Sequence, residues 1–454
     1  MPPGWRIAAL RGKHIKSLLV SIWDRVRFSF WFTPGLMALG SILLSVGAIY
    51  ADTKLLDEYM LGIVGHWLYS GSAEGASSVL TTIASSMITI AGVVFSMTLV
   101  ALTLASSQFG PRLLRNYMGD RSNQVVLGTF IATFLYCLLI LRTIRHEPDD
   151  PFVPHLSVTL GVLLAIIDVG VLIHFIHHVA LSVQGDTIIA RIGRELNLAV
   201  ERLVPDEHAD DEAANGDDDA DPRPDEYSHH VSCNADGYLQ YVDVDSLKQL
   251  AADNKARIRL ALRPGQFLAR GARLASLECE QDAVEVLSRG VHSAVSLGYQ
   301  PTSSQDVEFG IRQLVEVALR ALSPGVNEPF TAVFCLDRLG GALCRLEDRS
   351  LPRERLYHVD DELRLVIPAI GYAEFVSLAF DEIRGNLRGG QRVTLHMLET
   401  LAMVHSVTSR RSRRRCLNDQ ASLVLESARR DITDANDLQE VEQRFSELFP
   451  DAGS

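Results

Sequence analysis

The sequence predicts an α-helical membrane domain of four transmembrane helices, followed by a cytoplasmic α+β domain with a small β-sandwich and helical hairpins. Three observations predict it. The apolar residues crowd into four long runs within the first 180 of 454 positions. An acidic, apolar-poor run follows, and beyond it the hydrophobic pattern alternates between a strand period and a helix period.

The four runs are 30–50, 78–107, 125–141 and 156–179. Each is long enough, or nearly so, to cross a hydrocarbon core of about 30 Å. Lys and Arg alternate between the connecting segments. Arg6, Arg11, Lys13, Lys16, Arg25 and Arg27 precede the first run, Arg112, Arg115 and Arg121 lie between the second and third, and Arg191, Arg194 and Arg202 follow the fourth. The first loop sets Lys54 against Asp52, Asp57, Glu58 and Glu74, and the third has Arg142 and Arg145 beside Glu147, Asp149 and Asp150. Because basic residues stay inside, both termini are expected in the cytoplasm. The basic start and Val46-Gly47-Ala48 resemble a secretory signal with its cleavage site, but removing that run would break the charge alternation. The six cysteines show no close pairing and read as reduced residues.

The second run carries a polar and small stripe: Ser78, Thr82, Ser85, Thr89, Gly92, Ser96, Thr103 and Ser107. Steps of three, four or seven keep these on one helix face roughly 80° wide. Leu80, Ile83, Met87, Ile90, Val94, Met97 and Leu102 occupy the opposite face, with Thr98 expected to bond back to its own helix. Such a stripe either packs against other helices or meets water. Gln108 and Arg112, at its inner end, would form the inner constriction of a pore.

The predicted organisation is a basic segment 1–27, a transmembrane domain 28–185, a cytoplasmic extension and acidic linker 186–228, a β-sandwich 229–280 and a mostly helical domain 281–454. The formal net charge of −13 arises mainly in residues 206–226. That run cannot bury a core and reads as a solvated linker. Its Asp217, Asp219 and Asp221 have calcium-loop spacing, but Pro222 stands where Gly is needed and Ser228 where Glu is needed.

Past the linker, a short helix is expected at 246–254, a strand at 258–262 and another at 267–269, with turns at Arg263-Pro264-Gly265-Gln266 and Arg270-Gly271. "Gly-Tyr-Leu-Gln-Tyr-Val" followed by "Arg-Pro-Gly-Gln-Phe-Leu" resembles the sandwich of biotinyl- and lipoyl-like domains. No hairpin lysine is present, Lys248 being in the predicted helix, so no attached cofactor is expected. An amphipathic helix at 305–322 carries a ladder of Glu308, Arg312, Glu316 and Arg320. A punctuated turn, Ser323 to Pro329, leads to a second helix at 329–346, begun by Pro329 at a first helical position. Asn327 and Glu328 in that turn, with Arg312, are the candidate ligand-binding residues, although turn chemistry alone accounts for the first two.

Residues 93–116, "Val-Val-Phe-Ser-Met-Thr-Leu-Val-Ala-Leu-Thr-Leu-Ala-Ser-Ser-Gln-Phe-Gly-Pro-Arg-Leu-Leu-Arg-Asn", pair with 309–332, "Phe-Gly-Ile-Arg-Gln-Leu-Val-Glu-Val-Ala-Leu-Arg-Ala-Leu-Ser-Pro-Gly-Val-Asn-Glu-Pro-Phe-Thr-Ala". Together they resemble a bacterial family of predicted membrane proteins, domain of unknown function twenty-two fifty-four. The resemblance runs from about residue 25 to 430. It implies a multi-pass protein of the bacterial inner membrane with a cytoplasmic C-terminal half, and no activity or catalytic residues.

Asp168 is the one acidic residue deep in an apolar run, where a carboxylate is costly unless paired or wetted. His174 and His178 have the spacing of a metal pair, but helical geometry turns them away from Asp168. Arg410, Arg411 and Arg413 to Arg415 form a basic cluster that reads as lipid-facing or as solvated surface. Enzyme motifs are absent: no P-loop, dinucleotide fingerprint, nucleophile elbow or zinc signature occurs, so no enzyme, cofactor or metal is expected.

The expected partners are the lipid bilayer, further copies of the chain, and a small ion or solute, with no nucleic acid. Ser85, Thr89, Gly92, Ser96, Thr103, Gln108, Arg112 and Asp168 are the pore or helix-packing residues of an oligomeric channel or transporter. The alternative is a membrane-anchored sensor or scaffold whose cytoplasmic domain binds a ligand or partner.

Overall fold

The computed structural model describes residues 31–54, 69, 71–109, 121–145, 152–182, 185–204, 227–347, 349–351 and 354–450, with the backbone alone for 105–109, 121 and 180–182. Two compact units divide at residue 184.

Among its described residues the first unit contains four helices: α1 (Phe32–Lys54), α2 (Ala73–Phe109), α3 (Arg121–Leu141) and α4 (His155–Ser182). Each is long and apolar enough to cross a membrane. α3 is the central helix. Half of its span is buried, against 22% of each of the others, and it packs on all three. Leu80, Ala84, Tyr136, Cys137 and Ile140 fill one end of the core, and Met87, Val94, Phe130 and Phe175 the other.

Polar contacts join the helices at their ends. Asp52, in the last turn of α1, accepts the backbone N–H groups of Leu156 and Ser157 at 2.9 Å each. It thereby caps α4, where a carboxylate also suits the helix dipole. The Thr33 hydroxyl donates to Gln124 at 2.8 Å, tying α1 to α3.

The second unit begins with α5 (Gly185–Leu203), an amphipathic helix that packs Ile189, Ile192, Leu196 and Val200 against the later helical layer. The sequence assigned these residues to an extension. The acidic run 206–226 lies outside the described residues. The strands are β1 (His229–Ser232), β2 (Gly237–Val242), β3 (Arg257–Leu260), β4 (Phe267–Leu268), β5 (Arg273–Glu278), β6 (Val295–Gly298), β7 (Glu354–Val359) and β8 (Glu362–Pro368). They form a five-stranded sheet of order β1-β5-β3-β8-β7 and a three-stranded sheet of order β4-β2-β6. Among the described residues only β3 and β8 pair in parallel.

The expected elements recur within a few residues, but the biotinyl/lipoyl-like likeness finds no support. Strands of 229–280 do not close on themselves. β2 needs β6 and β3 needs the β7–β8 hairpin, so both sheets draw on chain beyond residue 280. The physical reason is burial on a shared core. Leu239, Ile258, Leu268 and Ala275 meet Leu365 and Ile367 of β8, together with α6 (Val244–Asp253) and α7 (Val284–Ala294). Lys248 lies in α6.

Beside the sheets, α8 (Glu308–Ala321), α9 (Pro329–Arg345), α10 (Tyr372–Gly385), α11 (Gln391–Val407), α12 (Arg411–Asp431) and α13 (Ala435–Leu448) form the helical layer. Its polar centre is Arg413, which is 1% exposed. The guanidinium donates to the carbonyls of Leu346 at 2.8 Å, Glu347 at 3.0 Å and Arg349 at 2.9 Å, and stacks over the Tyr372 ring at 4.8 Å. Arg413 therefore ties down the chain after α9 and is not part of a surface cluster. Arg413→Met strands those carbonyls and should lower the unfolding free energy of this unit by about 3 kcal/mol, read from denaturant melts.

Candidate functional site

On α2, the face toward the bundle consists of Ala76, Leu80, Ala84, Met87, Ala91, Val94 and Ala101, all buried. Ser85, Thr89, Gly92, Ser96 and Thr103 are all exposed, on the side turned away from the other three helices. The hydroxyls are held by their own helix. Thr82 donates to Ser78 O at 2.8 Å, Ser85 to Thr82 O at 3.1 Å, Thr89 to Ser85 O at 2.7 Å and Thr103 to Leu99 O at 2.9 Å. Thr98 does the same to Val94 O at 2.8 Å. Back-bonding satisfies these five donors and leaves their acceptor lone pairs facing outward, whereas the Ser96 hydroxyl makes no such bond among the described residues.

The outward faces of the neighbours differ in chemistry. α1 presents Leu36, Leu39, Leu43 and Val46, and α4 presents Leu163, Ile166, Ile173 and Ile176. Bulky aliphatic faces suit lipid tails; the exposed side of α2 also carries Ile88, Val93, Phe95, Met97, Val100 and Leu104, so its Ser, Thr and Gly residues form a strip within an apolar surface, where another helix or water can approach closely. Two further candidates cannot be placed with the stripe, because the Gln108 side chain and all of Arg112 lie outside the described residues.

Asp168 does not share that face. It is fully buried, with Thr133 and Cys137 of α3 as its polar neighbours, and neither carboxylate oxygen closes a hydrogen bond of ordinary geometry. His174 and His177 are exposed, and the His174 and His178 rings lie 6.1 Å apart. Since an unpaired buried carboxylate opposes folding, Asp168→Leu should leave the purified protein at least as heat-stable as the parent in detergent melts. A loss of several degrees would mean that Asp168 is paired.

In the second unit the three ligand candidates are not brought together. Arg312 lies in the second turn of α8, while Asn327 and Glu328 lie beyond its C-terminus, about three turns away. Asn327 has φ +48 and is exposed, a strained turn residue of the kind Asn tolerates. Arg312 is bound to Glu308, as the ladder spacing requires.

The concentration of buried polar groups lies instead at the start of α8, beside a cavity of about 130 Å³ between the sheets and the helical layer. Glu308, 4% exposed, also pairs with Arg263 at 2.5 Å. Asp306, equally buried, caps α8 with the N–H groups of Glu308 and Phe309, while its Oδ2 has no hydrogen-bond partner. Gly265 makes this fit possible. Its φ is +93, and a Cβ there would fall 2.0 Å from Asp306 Oδ2. Arg355 of β7 also lines the cavity and donates to Leu203 O at 2.6 Å. Sequence reading missed Asp306, Arg263 and Arg355. Asp306 was detectable as a cap two residues before Glu308, but its burial follows from long-range packing.

Burial pushes the Asp306 carboxyl up to about 7, and the Glu308 charge adds to this while Arg312 and the capping N–H groups oppose it. The folded state thus keeps a proton that the unfolded chain releases near pH 4. Stability should fall as pH rises from about 4 to 7 and level off above that. Asp306→Asn should flatten that part of the melting-temperature profile; an unchanged slope contradicts the assignment.

Four helices long and apolar enough to cross a membrane, followed by an α+β unit, are the features of a membrane protein. The chain belongs to the family described as predicted membrane protein (DUF2254), whose model matches residues 27–403. An uncharacterized protein of Mycobacterium bovis and one of Mycobacterium tuberculosis strain H37Rv are each 32% identical to it over 433 residues, covering 92% of this chain and 79% of the relative. A third, from Mycobacterium tuberculosis strain CDC 1551, is 31% identical over the same coverage. No solved structure matches.

Proposed function

We propose that this protein is an oligomeric channel or transporter of the bacterial plasma membrane, with both termini cytoplasmic and α2 from several copies lining the path. One observation carries the reading: Ser85, Thr89, Gly92, Ser96 and Thr103 form an exposed strip on α2, turned from its own bundle and set among the exposed apolar side chains Ile88, Val93, Phe95, Met97 and Val100, while the outward faces of α1 and α4 carry no such hydroxyl strip. One such face per chain cannot enclose a path, so several chains are required. In this arrangement Ser85, Thr89, Gly92, Ser96 and Thr103 line the path, and Leu99 and Val100 form its apolar narrowing. Asp168, inside the bundle against α3, is not a lining residue.

The test is flux of K⁺, Na⁺ and Cl⁻ from liposomes holding the purified full-length protein. Ser96→Trp should reduce the flux about tenfold or more, as expected for a blocked path of water-sized width. Ile166→Trp on the lipid-type face of α4 should leave it unchanged. Absence of flux for all three ions, or equal flux through the Ser96→Trp protein, contradicts the proposal.

A further inference from the structure

The helical layer of the second unit leaves apolar side chains exposed at one of its ends. The side-chain contacts fix which helix termini meet there. α5 runs parallel to α9, since Gly193 faces Arg338 and Glu201 pairs with Arg345. It runs antiparallel to α8, since Leu196 meets Gly310 and Arg202 reaches the carbonyls of Ser303 and Ser304. α11 is parallel to α9: Arg392 stacks over Phe330, His396 meets Asp337 and Thr400 packs on Gly340. At about 1.5 Å per residue, the start of α5, the end of α8 and the starts of α9 and α11 lie level to within about one turn.

The turn after α8 projects at this end. Its backbone closes on itself, with the N–H groups of Val326 and Asn327 donating to Ser323 O at 3.1 and 2.9 Å, and that of Glu328 to Ala321 O at 2.8 Å. Pro324 and Pro329 stiffen it further. On this fixed support Val326 and Phe330 are each 56% exposed. The Arg392 guanidinium lies 4.8 Å from the Phe330 ring, and Arg388, four residues before it, is exposed. Glu328 and Asp186 are exposed at the same end, so charge there is mixed and the apolar tips are its distinctive feature.

Chain connectivity says what covers them. α4, long and apolar enough to cross a membrane, ends at Ser182, and α5 begins at Gly185. Three residue steps reach at most about 11 Å, so the end of the layer that carries Val326 and Phe330 is the end tethered to a membrane-crossing helix. The exposed Arg411, Arg414 and Arg415 lie at the opposite end, where Arg413 holds the carbonyls that follow α9. α9 is about 25 Å long, which separates that basic cluster from the tethered end.

We propose that the tethered end docks on the bilayer surface. Val326 and Phe330 enter the boundary between headgroups and acyl chains, while Arg388 and Arg392 reach the lipid phosphates. Apolar tips beside arginines are the composition that partitions to this boundary, to a depth of about 5–10 Å. The tether favours lipid over a protein partner, because it holds this surface beside a membrane whatever else is present.

Fluorescence quenching in liposomes of phosphatidylcholine and phosphatidylglycerol tests this on the full-length chain with its native cysteines replaced. Single cysteines in place of Val326, Phe330 or Ser304 carry the fluorophore NBD, Ser304 being exposed at the opposite end of the layer. The labels at 326 and 330 should be quenched by phosphatidylcholine bearing a doxyl group near the headgroup end of its acyl chain. Iodide in the buffer should quench them several-fold less than the label at 304. Iodide access at 326 or 330 equal to that at 304 overturns the proposal. Labels shielded from iodide yet unquenched by the doxyl lipid overturn it as well, since a protein surface would then cover the turn. The readout needs no flux, so it stands apart from whether the membrane helices conduct.

Discussion

A helix in hydrocarbon must satisfy its own polar groups, and this requirement organises the first unit. On α2 it is met twice, by the backbone and then by hydroxyls folded back onto carbonyls one turn earlier. The polar face therefore needs no partner from its own bundle. The bundle packs instead on the small and aliphatic face, with Ala76, Ala84, Ala91 and Ala101 allowing close approach and Leu80, Met87 and Val94 filling the space between. α3 then becomes the central helix, because the remaining apolar faces all converge on it.

The second unit is organised by buried ion pairing at the junction between its sheets and helices. Glu308 holds Arg263 and Arg312, so the turn before β4 and the first turns of α8 are fixed together. Arg413 does the equivalent task deeper in the helical layer, gathering three carbonyls after α9. Buried pairs of this kind add little net stability over an apolar replacement, but breaking one partner is costly. Their contribution here is geometric: they fix which segments meet, and they leave the cavity with Arg355 and Asp306 on its walls.

The membrane helices were legible because a bilayer imposes a length and a composition that any window of sequence reports. Local punctuation was legible as well: Pro329 begins α9, and the Arg263–Gln266 turn precedes β4. What the sequence hid was pairing at long range. β8 joins β3 across more than a hundred residues, and nothing local to 257–260 signals that a parallel partner is needed. The basic cluster failed for a related reason. Arg411 and Arg415 are exposed, but Arg413 between them is buried, and the carbonyls that hold it lie more than sixty residues away. The stripe illustrates the limit in the other direction. Periodicity identified its residues, but only the packing of α2 tells which face is turned outward.

The central proposal is that the hydroxyl strip of α2 faces the same strip of other copies of this chain across a shared narrow path. Disulfide trapping in membranes tests it most directly, using single cysteines in a chain whose six native cysteines have been replaced. A single cysteine in place of Thr89 or of Ser96 should give disulfide-linked dimers on oxidation, whereas one in place of Ile166 or Ile173 of α4 should not. Equal or stronger trapping from the α4 positions, with none from Thr89 or Ser96, would contradict the account.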